Sequence, residues 1–323
     1  MRIVYGLEHL ELPCEPAVVT IGNFDGMHLG HRKIIGRVIS LAEERGLLSV
    51  VLTFEYHPLR LLAPQRAPEV LMPIQARLDA MQELGVQLAV VANCTREFLS
   101  MDPDTFLRDL LIPHFQLKVI VEGPNFCFGK DRAGTIDFLI DRSRKLGFEA
   151  IRVEPVEVDL PGRGKHMLSS SLVRELLHKG QVDLAEICLG RPYEIQGKVI
   201  PGSGLGKSLG FPTANLETGE QMLPADGIYA GWVRMDNRSY PAAIVIGPAP
   251  TVDRYQTAVE AFVIDFEGDL YGRELALSLI KWLRVPKKFD DLAALTEQIN
   301  RDVELARQVL AARENTISRL PTK

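Results

Sequence analysis

The chain has 323 residues, of which 46% are hydrophobic and 24% charged, and a formal net charge of −5. That profile fits a globular protein long enough for two ordinary domains, each burying its own core. The slightly negative balance argues against nucleic acid as the main partner, so the expected ligands are small molecules. No apolar run approaches membrane-spanning length, and Met1-Arg2-Ile3-Val4-Tyr5 does not open a signal peptide, so no membrane association and a cytoplasmic location are expected. Cys14, Cys94, Cys127 and Cys188 are scattered without a CxxC pair, which points to reduced thiols rather than a disulfide framework or a structural zinc site.

Short apolar runs first alternate with amphipathic segments. Val18–Ile21, Leu48–Phe54, Leu88–Val91, Val119–Val121 and Ala150–Val153 read as strands, and Arg32–Arg45, Ile74–Leu84, Asp104–Leu111 and Asp137–Leu146 as helices. The alternation predicts an α/β doubly wound parallel sheet, a Rossmann-like fold that binds ligands beyond the carboxyl ends of its strands. Ser171–Lys179 and Val182–Leu189 read as two further helices, the second ended by Gly190. Beyond Gly190-Arg191-Pro192 the pattern changes to closely spaced strands at Tyr193–Ile200, Gly227–Met235, Ser239–Ile246, Thr257–Phe266 and Glu274–Trp282. These predict a small antiparallel β-barrel, followed by a C-terminal helix over Asp290–Arg313. The domains are therefore expected at residues 1–187 and 188–323.

The stretch from Val18 to His31 reads as a buried strand that turns through Gly22, Gly26 and Gly30 and delivers His28 and His31 to a helix start. Unpaired N–H groups at a helix N-terminus attract phosphate, and imidazoles one turn apart can face the same group. The turn lacks the GxxxxGK[ST] loop that grips a terminal phosphoryl group, so attack at an α-phosphate is the expected chemistry. A histidine pair on a solvated first turn, or two zinc ligands, would not need the surrounding glycines. Downstream, Ser169-Ser170-Ser171 precedes a helix with Arg174 inside its first turn. The serines alone are ordinary caps. An arginine there opposes the helix dipole unless an anion lies beside it, which makes the segment a second candidate polyphosphate site.

The GNFDGxHxGH form of the turn resembles the (H/T)xGH nucleotidyltransferases. Within them it is most similar to the amino-terminal module of the bacterial bifunctional riboflavin kinase/FAD synthetase family. The resemblance implies that Gly22, Asn23 and Phe24 bind ATP, and that His28 and His31 act around the α-phosphorus. It also implies that Ser170, Ser171 and Arg174 hold the β- and γ-phosphates. The run Gly123-Pro124-Asn125-Phe126-Cys127-Phe128-Gly129 resembles the family's GxDFxFG, with Asn125 in place of Asp; it implies flavin contacts at Asn125 and Phe128. A strand leaving the sheet with its aromatics in the core is the alternative for those residues. Thr53–Pro58 resembles TFxPHP with Tyr56 in place of proline.

Pro201–Ser208 nearly matches a P-loop, but Pro201 replaces the first glycine and Phe211-Pro212 follows too soon for the required helix. Its glycines still allow a loop over phosphates. In Leu209-Gly210-Phe211-Pro212-Thr213-Ala214-Asn215, Thr213 and Asn215 are two apart in extended chain and share a face, a suitable hard-oxygen pair for Mg²⁺. Glu260 falls on the same strand face as Phe262, Ile264 and Phe266, a costly place for a carboxylate without a partner or a task. GFPTAN and the later VExxxxDF resemble riboflavin kinases. The resemblance implies Thr213 and Asn215 as metal ligands and Glu260 as the base for the ribityl hydroxyl, with Gly204, Gly206, Lys207 and Gly210 covering ATP. Lys207, Phe262 and Pro286 depart from the residues common in that family.

The expectation for the whole chain is a two-step enzyme: riboflavin and ATP give FMN and ADP, then FMN and ATP give FAD and pyrophosphate. Mg²⁺ is the expected cofactor, and a monomer or weak homo-oligomer is the expected assembly. A chain active in the kinase half only, or a flavin sensor without turnover, are the rival readings.

Overall fold

The computed structural model describes all residues except 12–13, 203, 205, 207–208, 237, 249–256 and 318–323; side chains of 315–317 are also outside the description. The chain divides into two compact units: Met1–Asp159 with Arg163–Ser170, and Leu160–Gly162 with Ser171–Lys323.

The strands up to residue 167 are β1 (Arg2–Tyr5), β2 (Ala17–Ile21), β3 (Leu48–Phe54), β4 (Leu88–Ala92), β5 (Leu117–Glu122), β6 (Cys127–Phe128), β7 (Gly134–Thr135), β8 (Glu149–Arg152), β9 (Glu157–Leu160) and β10 (Gly164–Met167), all in the first unit but for Leu160 at the end of β9. Six of them form a parallel sheet in the order β1-β4-β3-β2-β5-β8. All five residues of β2 are buried, as befits a strand covered on both faces. Helices Leu29–Arg45 and Ile74–Leu84 cover one face through Ile35, Leu78 and Met81 against Val51, Ala89 and Val91. On the other face, Phe106, Leu107, Leu111, Ile136 and Leu139 pack on Val19, Val50, Leu52 and Ile120. The predicted doubly wound sheet is therefore present.

Several details differ from expectation. β1, an edge strand of four residues, and the short β6, β7, β9 and β10 are unpredicted, being too short to display a pattern. The helix expected at Asp104–Leu111 widens to π-helical winding over Phe106–Leu111. Pro113 lacks the N–H that would bond back to Asp109, and its ring crowds that carbonyl, so the turn opens. The sheet order places β3 on one side of β2 and β5 on the other, so the switch point lies between β2 and β5.

In the second unit, residues 171–189 of two helices, Ser170–His178 and Val182–Leu189, precede a closed barrel. Its strands are β11 (Tyr193–Ile200), β12 (Thr213–Glu217), β13 (Gly227–Met235), β14 (Arg238–Pro248), β15 (Thr257–Val263) and β16 (Glu274–Arg284), in the order β11-β12-β15-β14-β13-β16. Antiparallel pairing of β11 with β16 closes it. β15 stops three residues short of the predicted Phe266: Ile264 N–H donates to Pro241 O and Asp265 turns to φ 58°.

Along β15, Val259, Ala261 and Val263 are buried and alternate with the half-buried Ala258, Glu260 and Phe262. The outer face around Ala230, Ala243, Ile264 and Ile280 is covered by Ala306 and Leu310 of the C-terminal helix Leu292–Ile317. That helix is anchored by Asp302, which accepts from Arg284 Nε at 2.8 Å and from Gln298 Nε2 at 2.9 Å. The Arg284 and Asp302 side chains retain only 18% and 9% of their exposure. Asp302→Ala would strand a largely buried guanidinium and is expected to cost about 3 kcal/mol, read as a lower melting midpoint of the barrel unit by calorimetry.

Candidate active sites

The turn after β2 is strained at two ordinary side chains. Phe24 and Met27 have φ of 48° and 45°, a region that L-residues other than glycine rarely adopt. Such strain persists where surrounding bonds over-determine the chain. Met27 N–H donates to Phe24 O at 3.1 Å, and the chain then enters helix Leu29–Arg45 with His28 as its N-cap. His28 Nδ1 accepts from His31 N–H at 3.2 Å, so the proton of the neutral ring lies on Nε2. The two imidazoles stack at 3.6 Å between centroids, with Phe24 edge-on to His31 at 5.4 Å. Asn23 Oδ1 is buried with no hydrogen-bond partner among the described residues, an arrangement that leaves an acceptor for a ligand.

Ser170 reaches this turn: its hydroxyl donates to Asp25 O at 2.9 Å. Ser171 is exposed and Arg174 half-buried on helix Ser170–His178. Asn125 is exposed beyond the end of β5. Phe128 is only 9% exposed and belongs to the core, where its ring meets Phe106 at 5.3 Å, Phe126 at 5.4 Å and Phe138 at 5.9 Å.

On the barrel, antiparallel register sets Asn215 opposite Glu260 and Thr213 opposite Phe262. The Thr213 hydroxyl donates to Glu260 Oε2 at 3.1 Å, which orients the half-buried carboxylate. Phe211 and Phe262 meet edge to face at 5.4 Å beside them. The loop before β12 closes onto the same residues: a Cβ on Gly206 would lie 2.5 Å from Phe211 O and 3.2 Å from Thr213 Oγ1, and one on Gly202 would lie 2.2 Å from Asn215 Nδ2. Gly204 and Gly210 take positive φ of 74° and 88° in that loop, and Lys207 lies outside the described residues. Hydroxyl, amide and carboxylate oxygens on one face suit Mg²⁺, which needs few protein ligands when phosphate oxygens and water supply the rest. Among the described residues no group of three or more His, Cys, Asp or Glu could hold a metal ion.

Residues 12–164 match the FAD synthetase family and residues 189–310 the riboflavin kinase family. The bifunctional riboflavin kinase/FMN adenylyltransferase of Escherichia coli (strain K12) is 34% identical over 310 residues, covering 95% of this chain and 97% of that one. Its counterpart from Pseudomonas fluorescens is 36% identical over 312 residues, covering 96% and 98%. The chain belongs to the bifunctional riboflavin kinase/FMN adenylyltransferase family. As a riboflavin kinase and FMN adenylyltransferase, it converts riboflavin to FMN and FMN to FAD, with ATP as the co-substrate. A crystal structure described as a macrolide-efflux protein from Streptococcus pneumoniae has the same fold, with a TM-score of 0.85 and 28% identity over 95% of this chain and 99% of that chain. No helix among the described residues here is long and apolar enough to cross a membrane.

In this bifunctional flavin enzyme, two residues that the sequence patterns did not single out brace the turn after β2. Arg77, 3% exposed on helix Ile74–Leu84, donates from Nη1 to Asn23 O at 2.6 Å and from Nη2 to Glu55 O at 2.8 Å. Burial lowers its pKa, partly offset by Asp25 and Glu55. Glu122, at the end of β5, accepts from Ile21 N–H at 2.6 Å and from the Thr20 hydroxyl at 3.3 Å. Asp25 completes the bracing, its carboxylate accepting from Leu71 and Met72 N–H at 3.1 and 3.0 Å. A buried arginine inside an apolar helix stripe would have been the available signal for Arg77, and an acid closing a buried strand for Glu122.

Complete burial raises the Glu122 pKa well above 4.5, with the bonds from Ile21 and Thr20 acting in the opposite direction. A carboxyl whose folded pKa lies above its unfolded value favours folding while protonated and loses that contribution as pH rises. Stability of the first unit is therefore expected to fall, by up to about 1.4 kcal/mol per pH unit, between 4.5 and the raised value. Glu122→Gln should flatten that slope in urea unfolding followed across pH.

Proposed function

We propose that the two activities use separate sets of residues, adenylylation at the turn after β2 and riboflavin phosphorylation at Thr213, Asn215 and Glu260. The modules are taken as residues 1–187 and 188–323; helix Ser170–His178 and the helix beginning at Val182, up to residue 187, are counted chemically with the first, although residues 171–187 group by contact with the second unit. The observation that carries the kinase assignment is the bond from the Thr213 hydroxyl to Glu260 at 3.1 Å, beside Asn215 in register.

In the first step Glu260 accepts the proton of the ribityl 5′-hydroxyl as that oxygen attacks the γ-phosphorus of ATP. The γ-phosphoryl bond to the β-phosphate oxygen breaks, and FMN and ADP result. Thr213 fixes the carboxylate direction, since its hydroxyl donates to one oxygen while its lone pairs remain for a cation. Mg²⁺ held by Thr213 and Asn215 supplies charge neutralisation of the phosphate oxygens when bound. The loop with Gly204, Gly206, Lys207 and Gly210 is assigned to ATP.

In the second step an FMN phosphate oxygen attacks the α-phosphorus of ATP and pyrophosphate leaves. The nucleophile is already ionised, so positioning and charge stabilisation suffice. His28, His31 and the Asn23 amide are assigned to the α-phosphate, with Gly22 and Phe24 shaping the turn. Ser170, Ser171 and Arg174 are assigned to the β- and γ-phosphates. Asn125 is kept as a flavin contact. Phe128 is given that role only through the aromatic stack it supports, because its own ring is in the core. A cytoplasmic location, a monomeric or weakly associating state and the absence of a nucleic-acid partner complete the proposal.

Glu260→Gln is expected to lower FMN formation by about 100-fold or more and to leave FMN-to-FAD conversion intact. His31→Ala should do the reverse, by about 100-fold. Chromatography of products from riboflavin or FMN with ATP and Mg²⁺ reads both, and loss of both activities in either folded variant would refute separate sites.

A further inference from the structure

The β2–β5 ladder runs through Ala17, Val18 and Val19 and stops there. β5 continues alongside β8, reaching Glu122 opposite Arg152. Along a strand, successive N–H groups point to alternate neighbours. Gly22 N–H goes to Leu52 O of β3 at 3.0 Å. The preceding Ile21 N–H therefore faces β5, beyond the point where the ladder has ended. The Glu122 carboxyl occupies that place: Oε1 takes Ile21 N–H at 2.6 Å and the Thr20 hydroxyl at 3.3 Å, with the residue 2% exposed.

We propose that Glu122 is a positioning residue for adenylylation, a side-chain substitute for the missing ladder bond that holds β2 and β5 apart and sets the direction in which the chain enters Gly22–His31. This rests on the reading that FMN is adenylylated at that turn. Arg77 fixes Asn23 O and Asp25 fixes the segment at Leu71 and Met72. Neither constrains the chain where it leaves the sheet; Glu122 does. An apolar side chain at 122 would leave Ile21 N–H buried and unpaired, or let β5 close on β2 to regain a main-chain bond. Either change shifts the start of the turn, two residues before Asn23. Misplacement by about 1 Å is enough to slow a positioned reaction by about 100-fold.

The test uses the full chain as wild type, Glu122→Leu, Glu122→Gln and His31→Ala, with steady-state kinetics for riboflavin phosphorylation and for FMN adenylylation. Glu122→Leu should lower kcat for FAD formation by about 100-fold with little change in KM for ATP, while riboflavin phosphorylation remains at the wild-type rate. Glu122→Gln should restore FAD formation to within a few-fold of wild type, because its amide oxygen accepts the same N–H. Wild-type FAD formation in Glu122→Leu, or equal loss in the leucine and glutamine variants, overturns the proposal. If the leucine variant loses both activities, amide exchange at Ile21 in Glu122→Gln decides: wild-type protection supports the role and fast exchange overturns it. If His31→Ala abolishes FAD formation and Glu122→Leu does not, only the positioning role fails. If His31→Ala is fully active, the adenylylation site itself has been misplaced and the proposal falls with it.

Discussion

A chain that leaves the middle of a parallel sheet to hold a ligand must give up main-chain hydrogen bonds where water cannot replace them. The first unit is organised around replacing them at the end of β2. Glu122 takes the N–H of Ile21, β3 takes that of Gly22, Arg77 donates to the carbonyl of Asn23, and Ser170 donates to that of Asp25. Held at these points, the turn can keep Phe24 and Met27 at positive φ and can stack His28 on His31. The strain is maintained by donors and acceptors on four other segments of the chain, which leaves the turn preorganised.

The barrel solves a different problem. Antiparallel register gathers oxygen-bearing side chains on one face: residues facing each other on β12 and β15 bring Asn215 and Glu260 together, and Thr213 adds its hydroxyl to the same carboxylate. Closure of the sheet makes those spacings rigid, since each strand is fixed on two sides. Gly202 and Gly206 can approach so closely only because neither carries a Cβ, which would meet Asn215 at one and Phe211 O at the other.

What could be read from the sequence was what is local in it. Buried runs such as Leu48–Phe54, the apolar stripe of Ile74–Leu84 and the turn from Gly22 to His31 each carry their signal within a few residues. Thr213 and Asn215 share a face because strands alternate, and that too is local. Arg77 and Glu122 are different, because they act on main-chain atoms 54 and 101 residues away. Nothing near either residue announces the partner. The Phe126–Phe128 pair shows a third case, in which one pattern fits both a ligand wall and a core. Packing against Phe106 and Phe138 puts Phe128 in the core, a choice made by a helix and a π-wound segment outside the motif.

The two sheets also differ in what they leave open at their margins. The barrel closes on itself, so its strand order has no first or last member. The parallel sheet ends in β1 and β8, each four residues long, with Arg2 on one and Glu149 and Arg152 on the other. Short, charged margins are poor templates for strand addition. During synthesis this matters most for the first unit, because nearly all of it emerges from the ribosome before the barrel has been made. It spends that interval with only short, charged strands at the margins of its main sheet.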